Sequence, residues 1–301
     1  MAFIFSNFTT IISALLVLVA AIFLFFFLND YFGVREGTHK KSGAKYFIAG
    51  PIGLAVNFID VLGVGSFAPA TGLLKFFGQC QDRLLPGTLN AGFTIPVVYQ
   101  AIVFVDTVQV EPLTMLAMMG AAVIGGYAGA SVVSRLSEQM IRVAMGFALL
   151  ITAACMAGDL VGVFPMGGTA LGLAGASLAI GAGASFVLGA LMTIGVGFYA
   201  PCMALVYSLG LDPRVAFPIM MSASAMMMPV ASIRFFRAGA VDHACCFFMT
   251  AFGCLGVYLA IPYVATAEIE LLKKAVLGFT VLTSLSMFYS FIRQIGRAKT
   301  V

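Results

Sequence analysis

Long apolar runs separated by short polar turns dominate the chain. A helix needs about 20 apolar residues to span the core of a bilayer, so each plain run of that length predicts a transmembrane helix. These runs lie at 11–32, 85–106, 112–134, 140–160, 213–234, 243–264 and 270–292. The first run follows no basic residue and precedes no small-residue cleavage site, which predicts a retained helix rather than a signal peptide.

Two further apolar segments, 44–78 and 171–210, are each broken near the middle by a Gly-x-Gly sequence. Such a segment either crosses the membrane once as a broken helix or enters, turns at its glycines and returns to the side from which it came. The apolar pattern by itself leaves both interpretations open.

The composition places the protein in lipid. Hydrophobic residues make up 61% of the chain and charged residues 9%, the mean hydropathy is +1.07, and a soluble protein carries about 25% charged residues. These values exclude a cytosolic enzyme, a nucleic-acid binder and a disordered chain. Long uninterrupted runs favour helices over the short alternating strands of a barrel, so the predicted fold class is an all-α polytopic membrane protein.

The distribution of positive charge favours hairpins over broken crossings, because Lys and Arg concentrate in short cytoplasmic loops. With residues 33–45 inside and both segments returning, the two sides separate cleanly. The inside holds Arg35, Lys40, Lys41, Lys45, Arg83, Arg135, Arg142, Arg234, Arg237, Arg293, Arg297 and Lys299, and the outside holds Arg214, Lys273 and Lys274. A single crossing of the first segment would instead move Arg135 and Arg142 outside. The prediction is a multi-pass protein of the cell (inner) membrane, with the N-terminus outside and the C-terminus cytoplasmic.

The two broken segments belong to an internal repeat. Residues 63–92 align with 195–224 at a constant offset and without a gap, sharing the GVGxxAP string and a later proline. Each repeat would contain one re-entrant hairpin and three crossings, and an odd number of crossings inverts the second copy relative to the first. The predicted organisation is an extra N-terminal helix with a basic loop in 1–43, then two inverted repeats in 44–165 and 166–301, an arrangement common in secondary transporters.

The broken turns suggest an anion site. Glycine frees the backbone to approach a ligand, and a proline fits the first turn of the half-helix that follows. The start of a helix presents unpaired N–H groups and partial positive charge, and irregular backbone at membrane depth must be buried or line a wet cavity. The predicted substrate site is therefore built on Gly63, Gly65, Gly195 and Gly197, with two half-helix starts converging near the membrane midplane.

These motifs resemble the TauE/SafE family of sulfite exporters and 4-toluene sulfonate uptake permeases. The resemblance covers about 44–293 and is carried by the four glycines above, Pro69, Pro201, the stretch Gly87–Asn90, and Ser222–Ser224. The family turn usually has three consecutive glycines, whereas Ser66-Phe67 and Phe198-Tyr199 follow the second glycine in this chain. The resemblance implies transport of small anions such as sulfite, sulfonates or small carboxylates, and it does not choose among them.

Polar side chains near the turns are candidates for binding and coupling. Asn57 and Asp60 share a helix face leading into the first turn, and an ionisable residue within a span is a functional candidate. Asp60 would carry a coupling proton, pair with Lys75, or hold the hairpin tip as a structural contact. Lys75 would otherwise attract substrate or extend to the membrane interface.

Hydroxyl and amide groups supply candidate hydrogen bonds to an oxyanion. They are Ser66, Thr71, Asn90, Tyr199, Ser222 and Ser224, and the alternative role of Ser and Thr is ordinary contact between helices. Small residues, including the pair Gly125 and Gly129, predict close helix packing and a candidate homodimer face.

The sequence carries no signature of an enzyme, a metal site or a cofactor. The six cysteines lack a CxxC pair, and neither a Walker A motif nor an HExxH motif is present. The predicted partners are a small anion, a coupling proton or ion, membrane lipid and a second copy of the chain, with no nucleic acid. Rival interpretations are a passive anion channel and, less favoured, a membrane-embedded enzyme or sensor.

Overall fold

The computed structural model describes residues 2–33, 47–105, 109–163, 167–264 and 270–298, and within them the chain folds into α-helices joined by short turns. The helices are α1 (Ala2–Gly33), α2 (Ala49–Val61), α3 (Phe67–Phe76), α4 (Leu85–Val105), α5 (Pro112–Val133), α6 (Glu138–Leu160), α7 (Gly175–Met192), α8 (Tyr199–Ser208), α9 (Ala216–Arg237), α10 (His243–Ala260) and α11 (Glu270–Ala298). The predicted boundaries at 43/44 and 165/166, and the basic residues at 35, 40, 41, 45 and 299, lie outside the described residues.

Eight of these helices are long and apolar enough to cross a membrane, namely α1, α4, α5, α6, α7, α9, α10 and α11. The prediction of an all-helical polytopic membrane protein is confirmed. The remaining helices are short, with 13 residues in α2 and 10 each in α3 and α8. At 1.5 Å per residue, α3 and α8 are each about 15 Å long, which is half of a bilayer core of about 30 Å.

The helices of the second half recur at the offset found in the sequence. Half-helices α3 and α8 coincide residue for residue at that offset, and α4 and α9 begin within one residue of coincidence. The packing also recurs, because α2 packs on α10 as α7 packs on α5, and α3 packs on α11 as α8 packs on α6. One difference is α7, which has 18 residues against the 13 of its counterpart α2.

The segment containing α7 and α8 begins and ends at the same place. Ala170 and Leu211 form a parallel β-bridge, in which the Asp212 amide donates to the Ala170 carbonyl at 2.9 Å and the Gly168 amide donates to the Leu211 carbonyl at 2.9 Å. Because Ala170 precedes α7 and Leu211 follows α8, the chain returns to the end of the molecule from which it started. We refer to α7, α8 and their connecting turn as hairpin 2.

Hairpin 1, formed by α2, α3 and their turn, opens at the other end of the molecule. Helix α2 runs parallel to α10, since Gly53 lies against Met249 and Asn57 lies one turn further on against Gly253. The start of α10 lies beside the start of α4, where the Asp242 amide donates to Thr88 Oγ1 at 3.0 Å. Helix α3 leads directly into α4, so both ends of hairpin 1 meet there.

The described basic residues divide between these two ends. Arg83, Arg135, Arg142, Arg234, Arg237 and Arg293 lie where hairpin 1 opens, which we call the basic end, and Arg214, Lys273 and Lys274 lie where hairpin 2 opens, which we call the opposite end. Cross-helix contacts fix the two ends. Arg142 Nε donates to Asp82 Oδ2 at 2.6 Å at the basic end, and Lys273 Nζ donates to Asp159 Oδ2 at 2.7 Å at the opposite end.

Small residues bring α5 and α7 into backbone contact. A Cβ atom added at Gly125 would lie 1.9 Å from the Phe186 carbonyl oxygen, and one added at Gly129 would lie 2.7 Å from the Ala190 oxygen. The prediction of close helix packing is confirmed. These two glycines make contacts within the chain, and the homodimer stays a prediction.

Candidate functional site

A cavity lies where the tips of the two hairpins meet. Its volume is about 30 Å³, which is room for about two water molecules. The cavity is lined by Asp60, Gly65, Ser66, Phe67, Val97, Met192, Gly197, Phe198, Tyr199, Met220, Met221 and Ser224. Both halves of the chain therefore contribute to one cavity.

The N-terminal turns of two half-helices border this cavity. Helix α3 begins at Phe67 and α8 begins at Tyr199, and both residues line the cavity. Pro69 and Pro201 each occupy the third position of their helix, where a missing N–H leaves no intrahelical bond unmade. Free N–H groups and the partial positive charge of each helix start favour an anion between them.

The turns before these half-helices depend on glycine at three positions. Gly63, Gly65 and Gly195 have φ angles of 86°, 92° and 113°, a region that residues with a Cβ atom rarely adopt. The fourth predicted glycine, Gly197, lies outside that region and has no atom within 4 Å of an added Cβ. Gly65 and Gly197 line the cavity, whereas Gly63 and Gly195 shape the turns behind it.

Asp60 places a carboxylate at the edge of the cavity. It lies in the last turn of α2, is 8% exposed, and accepts a hydrogen bond of 3.0 Å from Gln100 Nε2. Ser66 lines the cavity beside it. A buried carboxylate is retained when a hydrogen-bond donor compensates for its lost hydration, so the tip of hairpin 1 is organised around Asp60.

The sequence reasoning missed Gln100, the partner of Asp60 on α4. Gln100 is fully buried, and its Oε1 atom has no hydrogen-bond partner within the described chain. The available signal was an amide in the mostly apolar second half of α4. Four apolar lining residues were also missed, namely Val97, Met192, Met220 and Met221, because an apolar residue that faces a cavity has the same sequence pattern as one that faces a core.

Lys75 does not pair with Asp60, so that suggestion is wrong. Its Nζ atom donates to Asp82 Oδ2 at 2.9 Å and lies 3.3 Å from the sulfur of Met287. Lys75 belongs to the last turn of α3, about 12 Å along the helix from Phe67, and it does not line the cavity. Its position at the base of hairpin 1 agrees with a side chain that extends toward the interface.

Tyr199 reaches from one half of the chain to the other. A Cβ atom added at Gly63 would lie 2.5 Å from the Tyr199 hydroxyl, so the phenol lies directly against the turn of hairpin 1. The Tyr199 ring packs edge-on against Phe217 with ring centroids 5.9 Å apart. The two hairpin tips are therefore in side-chain contact, which keeps the cavity small.

The remaining polar candidates divide by helix face. Ser224 lines the cavity on α9 with Met220 and Met221, whereas Ser222 does not, because residues two apart on a helix point about 200° apart. Asn90 lies about 10 Å along α4 from Val97, and its Nδ2 atom donates to the Pro86 carbonyl at 2.8 Å. The two other candidates donate hydrogen bonds within their own helices.

These two are Asn57 and Thr71. The Asn57 amide donates to the Gly53 carbonyl at 2.8 Å, and the Thr71 hydroxyl donates to the Phe67 carbonyl at 2.8 Å. Neither residue lines the cavity. Both are fully buried, so their geometry matches the structural alternative for such side chains.

The fold and the cavity together define a polytopic helical membrane protein with a small, mainly apolar cavity where the tips of two hairpins meet α4 and α9. A family model described as "Sulfite exporter TauE/SafE" matches residues 2–156, just over half of the chain. The protein therefore belongs to the TauE/SafE sulfite exporter family, a family of membrane transporters. The match includes α1, which the sequence resemblance had left out, and it ends before hairpin 2. No curated protein and no solved structure matches the chain.

Proposed function

We propose that this protein is a secondary transporter of small anions, with sulfite, sulfonates and small carboxylates as the candidate substrates. The observation that carries the proposal is the convergence of the α3 and α8 N-termini on one cavity. An anion held there would be bound by backbone N–H groups and helix dipoles without a basic side chain. The lining residues from the two turns would supply the remaining contacts, with the hydroxyls of Ser66, Tyr199 and Ser224 as donors.

The proposed architecture is a pair of inverted repeats around this site. Support comes from the hairpins, which open at opposite ends of the molecule while their tips meet. Half-helices of about 15 Å would place those tips near the middle of a bilayer core of about 30 Å. Two halves rocking about a central site is the general mechanism of transporters with this symmetry.

The proposed orientation places the basic end in the cytoplasm. The described arginines at that end outnumber the basic residues at the opposite end, as expected for cytoplasmic loops. Helix α1 ends at the basic end, where Asp30 Oδ2 lies 2.6 Å from His243 Nε2. The N-terminus would then lie outside.

Reconstitution into proteoliposomes tests the transport function. Labelled sulfite, a sulfonate and a small carboxylate are offered separately, with and without an imposed pH gradient. The proposal expects concentrative uptake of at least one anion that collapses when a protonophore dissipates the gradient. Flux that runs strictly downhill under every condition would indicate a passive channel instead of a transporter. The absence of flux for every anion would overturn the substrate class.

A further inference from the structure

We propose that a second cavity, at the basic end between α6 and α11, binds a phosphate group carried by an anionic membrane lipid. This cavity is lined by Arg142, Tyr289, Ser290, Arg293 and Gln294 and has a volume of about 350 Å³, more than ten times that of the cavity between the hairpins. Its volume falls within the range typical of small-molecule sites. We call it the α6–α11 cavity.

Two arginines give this cavity its affinity for an anion. Arg142 is held in place by bonds from three of its nitrogens, to Asp82, Glu138 and Gln294. A guanidinium has five N–H donors, so two remain available. Arg293 has no hydrogen-bond or ion-pair partner within the described chain, so all of its donors are available.

The charges around the cavity are unbalanced. Lys75 and Arg142 are offset by Asp82, which both contact, and by Glu138, which pairs with Arg142. The charge of Arg293 remains uncompensated among these groups. A singly charged phosphodiester would balance it and accept a bidentate pair of N–H bonds from the guanidinium.

The surface beside the cavity fits the rest of a lipid molecule. Leu282, Leu285, Tyr289 and Ile292 recur at helical spacing on α11 and are 56% to 65% exposed. Phe147 and Ile151 on α6 are 57% and 43% exposed and lie further from the basic end. A headgroup bound by Arg293 would therefore have its acyl chains against an apolar strip.

The thermal stability of the purified full-length protein in detergent tests this inference. The probes are dioctanoyl phosphatidylglycerol, dioctanoyl phosphatidylcholine and inorganic phosphate at equal concentration. The expected result is a saturable rise in Tm with phosphatidylglycerol alone, by mass action on the folded state. Arg293→Ala should lose that rise with an unchanged baseline Tm, and Arg135→Ala, which removes an exposed arginine from the same end outside the cavity, should keep it.

Three outcomes would overturn the inference. An equal rise with phosphatidylcholine would mean that the acyl chains act without the charge. An equal rise with inorganic phosphate would assign the cavity to a soluble anion instead of a lipid. A full rise in the Tm of Arg293→Ala with phosphatidylglycerol would mean that the lipid does not bind at the α6–α11 cavity.

Discussion

At the scale of single residues, Asp60 presents an electrostatic problem. A fixed negative charge beside an anion site would repel the substrate, so a carboxylate there is useful if it takes up a proton when the anion binds. Gln100 suits both states, because an amide can donate to a carboxylate and, after rotation, accept from a carboxylic acid. The Oε1 atom of Gln100, which has no partner within the described chain, would be the acceptor in this exchange.

Asp60→Asn should uncouple uptake from the proton gradient. The amide keeps the size of the side chain and can still contact Gln100, but it carries no titratable proton. We expect uptake driven by an anion gradient to persist and its dependence on pH to become nearly flat, measured as initial rates in proteoliposomes. Asp159→Asn is the control, because that carboxylate pairs with Lys273 away from the cavity. An unchanged pH profile in Asp60→Asn would refute the coupling role.

The paired turns offer a matched comparison of two glycines. Gly65 has a φ of +92° and an added Cβ would meet its nearest atom at 4.0 Å, so alanine there suffers from backbone strain without a clash. We expect Gly65→Ala to lower the free energy of unfolding by about 1–2 kcal/mol. Gly197→Ala, which faces neither constraint, should leave stability nearly unchanged. Equal denaturation midpoints for the two variants would contradict the difference between the turns.

At the scale of elements, the closure of hairpin 2 is open to direct chemical test. Ala170 and Leu211 are bridged, so cysteines at these positions should form a disulfide on mild oxidation, identified by mass spectrometry of the linked peptides. Ala170→Cys with Gln81→Cys, an exposed position at the basic end, should not link. Failure of the first pair to link would favour a single broken crossing.

The base of hairpin 1 is tied to α6 by one carboxylate. Asp82 accepts from Lys75 at 2.9 Å and from Arg142 at 2.6 Å, and its side chain is 10% exposed. Asp82→Asn would leave two poorly hydrated cations without their shared partner, which should destabilise the protein by about 2 kcal/mol. Glu270→Gln removes an exposed partner of Lys274 and should have no measurable effect. Thermal unfolding of both variants measures the difference.

Elements of this fold were predictable from the sequence where the signal was local or periodic. Apolar length predicted the spans, and the repeated GVGxxAP string predicted the short helices α3 and α8, whose first turns contain Pro69 and Pro201. The asymmetry between α2 and α7 was not predictable, because the broken turn marks where both helices end but nothing in the repeat marks where α7 begins. A tertiary contact precedes its start, where the Glu111 amide donates to the Leu171 carbonyl.

At the scale of the whole molecule, part of the site was predictable from the sequence. The division between the predictable residues and the others has a physical cause. Gly65, Gly197, Ser66 and Tyr199 line the cavity because each belongs to a broken turn, which a sequence motif identifies. Side chains that enter from other helices depend on rotation about those helices. The sequence therefore did not separate Ser224, which lines the cavity, from Ser222, which does not. It also left Asp60 open as a partner of Lys75, and it omitted Gln100.

The division of charge between the two ends makes the orientation of the whole molecule testable without altering any charge. Gln81 at the basic end is exposed, and Leu271 at the opposite end is 79% exposed, so a cysteine at either position is open to reagents. If the basic end is cytoplasmic, a membrane-impermeant maleimide should label Leu271→Cys in intact cells and Gln81→Cys after the membrane is permeabilised. The parent chain supplies the background, since its cysteines are buried or partly buried.

The reverse pattern would invert the protein and place the opening of hairpin 1 outside. Labelling of both positions in intact cells would mean that the two ends are not separated by a membrane, which would refute the inverted arrangement itself.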